Sequence, residues 1–138
     1  MRLLCFQAKR FWWKAFSKTL ADVPSQEVEA EVGDAVVAFV QIEAVDLDPD
    51  REASVFRQTL KHIKWLANKR GWKTIVLHSF THLGGENAPP EAAHAILTRL
   101  ASRLIESDYQ VHVTPFGYFN EWDLSVYGES LAKVWKEI

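Results

Sequence analysis

Two short segments concentrate the residues that could do chemistry: Ser79-Phe80-Thr81-His82-Leu83 and Thr114-Pro115-Phe116-Gly117-Tyr118-Phe119-Asn120. Each stands at the expected end of a strand and runs into a turn, and strand ends followed by loops are where α/β proteins gather their sites. The first sets a histidine beside small hydroxyl side chains and backbone amides. The second sets aromatic rings around a glycine, which lets another group approach the main chain closely. Residue types alone describe a pocket here and no particular reaction.

Other chemistries fall away. There is no Gly-rich phosphate loop, no Gly-x-Ser-x-Gly elbow and no Cys-x-x-Cys pair, so covalent catalysis has no obvious nucleophile. Cys5, the single cysteine, lies in an apolar stretch with nothing nearby to lower its pKa and reads as a buried structural thiol. His78, His82 and Glu86 are spaced by four, but across a strand end and loop that spacing does not bring side chains together; no metal and no other cofactor is expected. His62, His94 and His112 read as partly exposed structural histidines. The six tryptophans read as core or dimer-interface residues, with base stacking as the alternative use.

The elements that must position the two segments follow from periodicity and turn residues. Leu3 to Phe6 and Phe11 to Phe16 read as two strands of a hairpin turning at Gln7 to Arg10, and the β-branched run Ala35 to Val45 as a central strand. Phe56, Leu60, Ile63 and Ala67 give one buried helix face, with Arg57, Lys61, Lys64 and Asn68 a stripe beside it. Lys73 to Ser79 is a strand, Phe80 to Pro90 a loop ended by a helix that starts at Pro90, and Ala93, Leu97, Leu100 and Leu104 mark that helix. Asp108 to Thr114 and Glu121 to Tyr127 read as strands. Leu131, Val134, Trp135 and Ile138 suit a short terminal helix. The fold class is α/β: a single domain over 1–138, with a mixed β-sheet and helices packed against it.

Composition agrees. At 138 residues, 48% apolar and 25% charged, the chain can fold as one domain without disulfides, and the default is a soluble protein of the reducing cytoplasm with no membrane partner. Charge is segregated although the net is only −2: residues 1–20 carry five bases and no acid, 21–52 ten acids against Arg51, and 53–76 six bases and no acid. Segregation of this kind suits solvated helix faces and equally a basic face for phosphates.

With Ala38-Phe39 and Leu3-Leu4, the two segments resemble the archaea-type editing domain of threonyl-tRNA synthetase. In that family a Phe-x-His-Leu segment precedes a proline-containing loop and a helix, and Pro-Phe-Gly-Tyr follows a strand; here these are Phe80-Thr81-His82-Leu83 and Pro115-Phe116-Gly117-Tyr118, and the order covers nearly the whole chain. The resemblance implies a D-aminoacyl-tRNA deacylase-like fold, a homodimer, and hydrolysis of serine mischarged on threonine tRNA. Such an enzyme answers a physical need, because one methyl group gives a binding pocket only about 1–3 kcal/mol of discrimination. Ester hydrolysis requires a placed water, donors for the developing oxyanion and a grip on the amino group; backbone groups can supply much of this, and the resemblance adds assistance from the terminal ribose hydroxyl.

By the same resemblance Ile42, Ser79, Phe80, Thr81, Phe116, Gly117 and Phe119 line the substrate pocket, with His82 close to the reacting end. Packing explains the apolar members equally well, a plain turn explains Gly117, and Tyr118 stands between packing and a polar contact. The family's lysine after the Gly-Tyr-aromatic run is here Asn120, and the glutamate of its terminal helix is Lys133. If both face one site the charge sum is preserved, with Lys133 as a relocated catalytic cation and Asn120 as a neutral donor; Lys133 as a solvated residue near a helix C-terminus is the alternative. Gln7-Ala8-Lys9 replaces the family's His-Ser-Asp, which leaves the substrate range open. Arg57, Lys61 and Lys64 are the expected tRNA phosphate contacts. No synthetase catalytic domain follows Ile138, so the expectation is either a freestanding factor acting in trans, beside a threonyl-tRNA synthetase lacking its own editing domain, or an excised fragment; Met1 and the compact ending favour the former. A catalytically altered tRNA- or aminoacyl-binding module, and a deacylase for another aminoacyl ester including a D-amino acid, are the competing functions.

Overall fold

In the computed structural model, which describes residues 1–138, the chain runs β1 (Arg2–Lys18), β2 (Glu29–Gln41), a 3-10 turn (Ala44–Leu47), α1 (Glu52–Asn68), β3 (Thr74–Ser79), α2 (Pro90–Glu106), β4 (Gln110–Val113), β5 (Tyr118–Val126), a second 3-10 turn (Ser130–Ala132) and β6 (Lys133–Glu137). The strands form one mixed sheet ordered β4-β3-β2-β1-β5, and β6 pairs with the first half of β1 beside β5. β2, β3 and β4 run parallel; the pairs made by β1 are antiparallel.

The expected central strand ends at Gln41 rather than Val45, because a 3-10 turn begins at Ala44, and two other expected elements differ in kind. Gln7 to Arg10 is no turn: β1 passes straight through it, paired with β2 from Arg2 opposite Gln41 to Lys14 opposite Glu29. The segment contains no Gly, Pro, Asn or Asp to demand a reversal. Its polar character marks a bulge, since the pairing with β5 slips by one residue between Ala8 and Arg10. Gln7 is buried there and satisfied, donating to the Leu66 carbonyl and accepting from Arg70 Nε.

The expected terminal helix is instead strand β6. Half-buried Val134 and Lys136 alternate with exposed Lys133, Trp135 and Glu137, a period of two. Eight residues make a marginal helix in water, whereas the open edge of β1 offers backbone partners. One consequence reaches α1: His62, expected to be partly exposed, is buried beside β6, where Lys136 also approaches it.

Both helices pack on one face of the sheet. Leu60, Ile63 and Leu66 of α1 and Leu97, Leu100 and Leu104 of α2 meet Leu3, Cys5, Val36, Ala38, Val40, Ile75 and Leu77 in a single core, each large side chain contributing about 1.5–3 kcal/mol. The other face is covered by the sheet itself, which curls until Trp13 of β1 stands 5.9 Å from His112 of β4. Inside the curl Ala8, Phe11, Trp13, Val37, Phe39 and Val76 form a second buried cluster that contains no helix residue. Cys5 lies in the first core as expected, and burial pushes its thiol up to about 12. No helix is long and apolar enough to cross a membrane.

Candidate active site

The carboxyl ends of the parallel strands β2 and β3 open into a cavity of about 570 Å³, the place where open α/β sheets offer ungoverned backbone groups to ligands. Val40 comes from β2 and Ile42 from just after its end, His78 and Ser79 from β3, Phe80, Thr81 and His82 from the loop after it, and Pro90 and Ala93 from the first turn of α2. The opposite wall is Pro115, Phe116 and Gly117 followed by Tyr118, Phe119, Asn120 and Trp122 of β5, closed by Thr19 and Leu20. Both chemistry-bearing segments therefore meet across one cavity. The spacing of His78, His82 and Glu86 gathers no metal-ligand cluster.

Buried side chains fix the loop that carries His82. Gln41, 1% exposed, accepts from the Leu83 N–H at 2.8 Å and donates to Asn87 Oδ1 at 2.7 Å and to the Gly84 carbonyl. Arg2 reaches the Leu83 carbonyl at 3.1 Å, and Ala88 N–H bonds Ile42 O at 3.0 Å. Gly85 is required: its φ is +66°, and a Cβ would lie 2.1 Å from the Glu43 carboxylate. Gly117 has the same role opposite, with φ +78° and a hypothetical Cβ 2.6 Å from Val23; its carbonyl accepts from Thr19 N–H at 2.7 Å. Tyr118 donates its hydroxyl to the Pro24 carbonyl at 2.7 Å and accepts from Gln26 N–H at 3.0 Å. It thus anchors the chain around the cavity while also lining it.

Three features give the cavity chemical capacity. First, the backbone N–H groups of Thr81, His82, Phe116 and Gly117, residues that line both walls, donate to no other protein group, and free backbone donors are the kind of group that stabilises an oxyanion. Second, Asn120 spends its Nδ2 on the Tyr118 and Pro115 carbonyls at 3.2 and 3.4 Å, and its Oδ1 is buried without a partner. The free end of the amide is therefore an acceptor, opposite to the donor role expected for it. Third, His78, which sequence reasoning weighed only as a metal ligand, is 6% exposed and bonded through Nδ1 to Thr114 Oγ1 at 2.8 Å. Burial pulls its pKa down to about 4, so the ring is neutral at physiological pH. It packs among Phe39, Phe80 and Trp122.

His82 is exposed and touches the Phe80 ring edge-on at 5.5 Å. Lys133 does not join the cavity. It is the first residue of β6, exposed, and paired in register with Phe6; the exchange of charge between positions 120 and 133 has no common site to act in. Arg57, Lys61 and Lys64 line a separate shallow groove on α1 with Trp65 and Asn68, sharing no residue with the cavity. Gln41 and Asn87 are the residues that sequence reasoning passed over, and it gave neither His78 nor Thr114 this role; Gln41, His78 and Thr114 are polar side chains buried in or just after apolar strands, whereas Asn87 is exposed and carries no such signal.

A curled mixed sheet with two helices on its outer face and a cavity at its carboxyl edge is the D-aminoacyl-tRNA deacylase-like architecture. A solved structure titled c-Myc DNA Unwinding Element Binding Protein superposes over 100% of this chain and 99% of its own with a TM-score of 0.69 at 13% identity, a likeness of fold alone. The archaea-specific editing domain of threonyl-tRNA synthetase matches residues 1–138, and the chain belongs to that family. Threonine–tRNA ligases of Hyperthermus butylicus and Staphylothermus marinus are 31% and 30% identical, over 97% and 100% of this chain. The chain spans about a fifth of the length of these relatives, 22% in each case. The family implies aminoacyl-tRNA proofreading.

Proposed function

We propose that this chain is an aminoacyl-tRNA deacylase that hydrolyses serine mischarged on threonine tRNA, supplied in trans. The observation that carries the reading is a cavity that offers unpaired backbone N–H groups on both walls and one unpartnered amide oxygen. Water adds to the ester carbonyl, the oxyanion is held by the free amides of Thr81, His82, Phe116 and Gly117, and the ribose oxygen leaves with a proton. Asn120 Oδ1 accepts from the substrate α-ammonium. Ile42, Ser79, Phe80, Phe116 and Phe119 border the small side chain, with exposed His82 and half-buried Tyr118 also on the cavity lining. The family resemblance adds the neighbouring ribose hydroxyl as the group that assists the water.

Phosphates of the tRNA would lie along Arg57, Lys61 and Lys64. The proposed assembly is a homodimer serving a threonyl-tRNA synthetase that lacks its own editing domain; Phe16 and Phe119, 70% and 62% exposed on paired strands, are the apolar surface that a second copy would cover. The deciding experiment is single-turnover hydrolysis of seryl-tRNA(Thr) and threonyl-tRNA(Thr) side by side with chelator present. Selective loss of serine is expected. Equal loss of both would remove the serine assignment, and no loss of either would remove the deacylase. A second reading, tRNA binding without turnover, is favoured by the neutral Asn120 where the family's pattern has a lysine; tRNA retention with no hydrolysis would establish it.

A further inference from the structure

A second groove, about 580 Å³, runs between α1 and the edge strand β6 and is lined by Gln58, Lys61, His62, Trp65, Trp135 and Lys136, among others. Its tryptophans are not core: Trp65 is 41% and Trp135 51% exposed. Its cations are not neutralised. Arg2, Arg10, Arg51, Arg70, Arg99 and Arg103 all meet carboxylates, whereas Arg57, Lys61 and Lys136 meet none. Lys61 and Trp65 also line the shallow groove of Arg57 and Lys64, so the two grooves are continuous across α1, and no acidic residue lines either. His62 in the groove wall is 8% exposed, and its Nε2 is buried with no hydrogen-bond partner. Unpaired cations beside exposed aromatic faces and an unsatisfied ring nitrogen describe the complement of an anion carrying a planar, hydrogen-bonding group.

We propose that the groove between α1 and β6 holds one nucleotide of a bound RNA strand, its base stacked on the exposed tryptophans and its phosphate between Lys61 and Lys136. The site rests on the reading of the chain as a tRNA-acting protein and adds to it a contact away from the ester. Burial and the nearby Lys136 charge both lower the His62 pKa and so disfavour a charged ring in the groove wall. Lysine suits the phosphate as a mobile point charge that needs no planar fit. Because stacking tolerates every base, the groove adds affinity with little sequence preference.

The test is binding of uncharged threonine-tRNA transcript and of a single-stranded RNA pentanucleotide, followed by tryptophan fluorescence quenching across a salt series. Trp135→Ala is expected to weaken both by about tenfold and Trp135→Phe to restore most of the loss. Lys136→Gln is expected to reduce the slope of log affinity against log salt by about 1. Wild-type affinity and salt slope in Trp135→Ala and Lys136→Gln would overturn the site, as would failure of the unmodified chain to bind either RNA. Retained RNA affinity with lost association to a synthetase chain would assign the groove to a polypeptide and equally overturn it. Absence of ester hydrolysis with these shifts intact removes the deacylase reading and leaves the groove standing, so the two failures are distinguishable.

Discussion

Replacing Asn120 by Ala is expected to slow single-turnover hydrolysis of seryl-tRNA(Thr) by ten- to a hundred-fold. The side chain is oriented by its own turn: with Nδ2 committed to the carbonyls of Pro115 and Tyr118, Oδ1 has one orientation and no protein partner. A buried acceptor left unsatisfied costs about 1–3 kcal/mol, and a hydrogen bond to a charged group returns about 1.5–3 kcal/mol. In the proposed reading the substrate ammonium supplies the partner that Oδ1 lacks, and loss of that hydrogen bond corresponds to the stated change in rate. Both Nδ2 bonds are long, so the alanine variant should melt close to the unmodified chain. A rate within twofold of wild type, in a variant with an unchanged melt, would show that Asn120 touches neither substrate nor water. The lysine that the family carries here would instead present a donor, which is why the acceptor oxygen and not the charge is the quantity to test.

The lining of the cavity was legible because its residues lie in two contiguous segments, 79–83 and 114–120, and local turn chemistry points both into loops at strand ends. The helices were legible for the same reason, since Phe56, Leu60, Ile63 and Ala67 repeat with a helical period that packing then honours. What failed was long-range. Gln7 to Arg10 looks like a turn until Gln7 is seen to bond Leu66, fifty-nine residues on. Leu131 to Ile138 fits a helix until the edge of β1 is seen to be vacant beside it. Lys133 followed that error, because its expected position depended on a helix that pairing replaced by a strand. His78 was hidden differently: its partner Thr114 stands thirty-six residues away, just after β4, and without that bond the sequence offers only a metal-ligand spacing for it, which the strand end already argues against.

The stability of the fold is expected to fall as pH drops from about 6.5 toward 4, with His78 as the largest single cause. Its folded-state pKa of about 4 lies below the ordinary histidine value of 6.5 that the unfolded chain would show. Between these values the unfolded state binds a proton that the folded state refuses, so stability present above 6.5 is lost progressively as pH falls. The size is about 2 kcal/mol between pH 7 and pH 5, since each unit of pKa difference is worth about 1.4 kcal/mol. His62 is shifted in the same direction, by burial and by Lys136, and adds to the slope. Urea melts at pH 7 and pH 5 test this directly: the unmodified chain should lose midpoint concentration on acidification, and His78→Phe should lose much less, the remainder belonging to His62. The phenylalanine variant leaves Thr114 without its ring partner and starts lower at pH 7, but the comparison is of slopes and not of absolute stability. An unchanged slope in His78→Phe would mean that the ring is protonated and solvated in the folded state, and the neutral wall it supplies to the cavity would have to be abandoned. If most of the slope is lost as expected, the ring stays neutral through the physiological range, and the cavity presents the substrate ammonium with no competing positive charge from this wall.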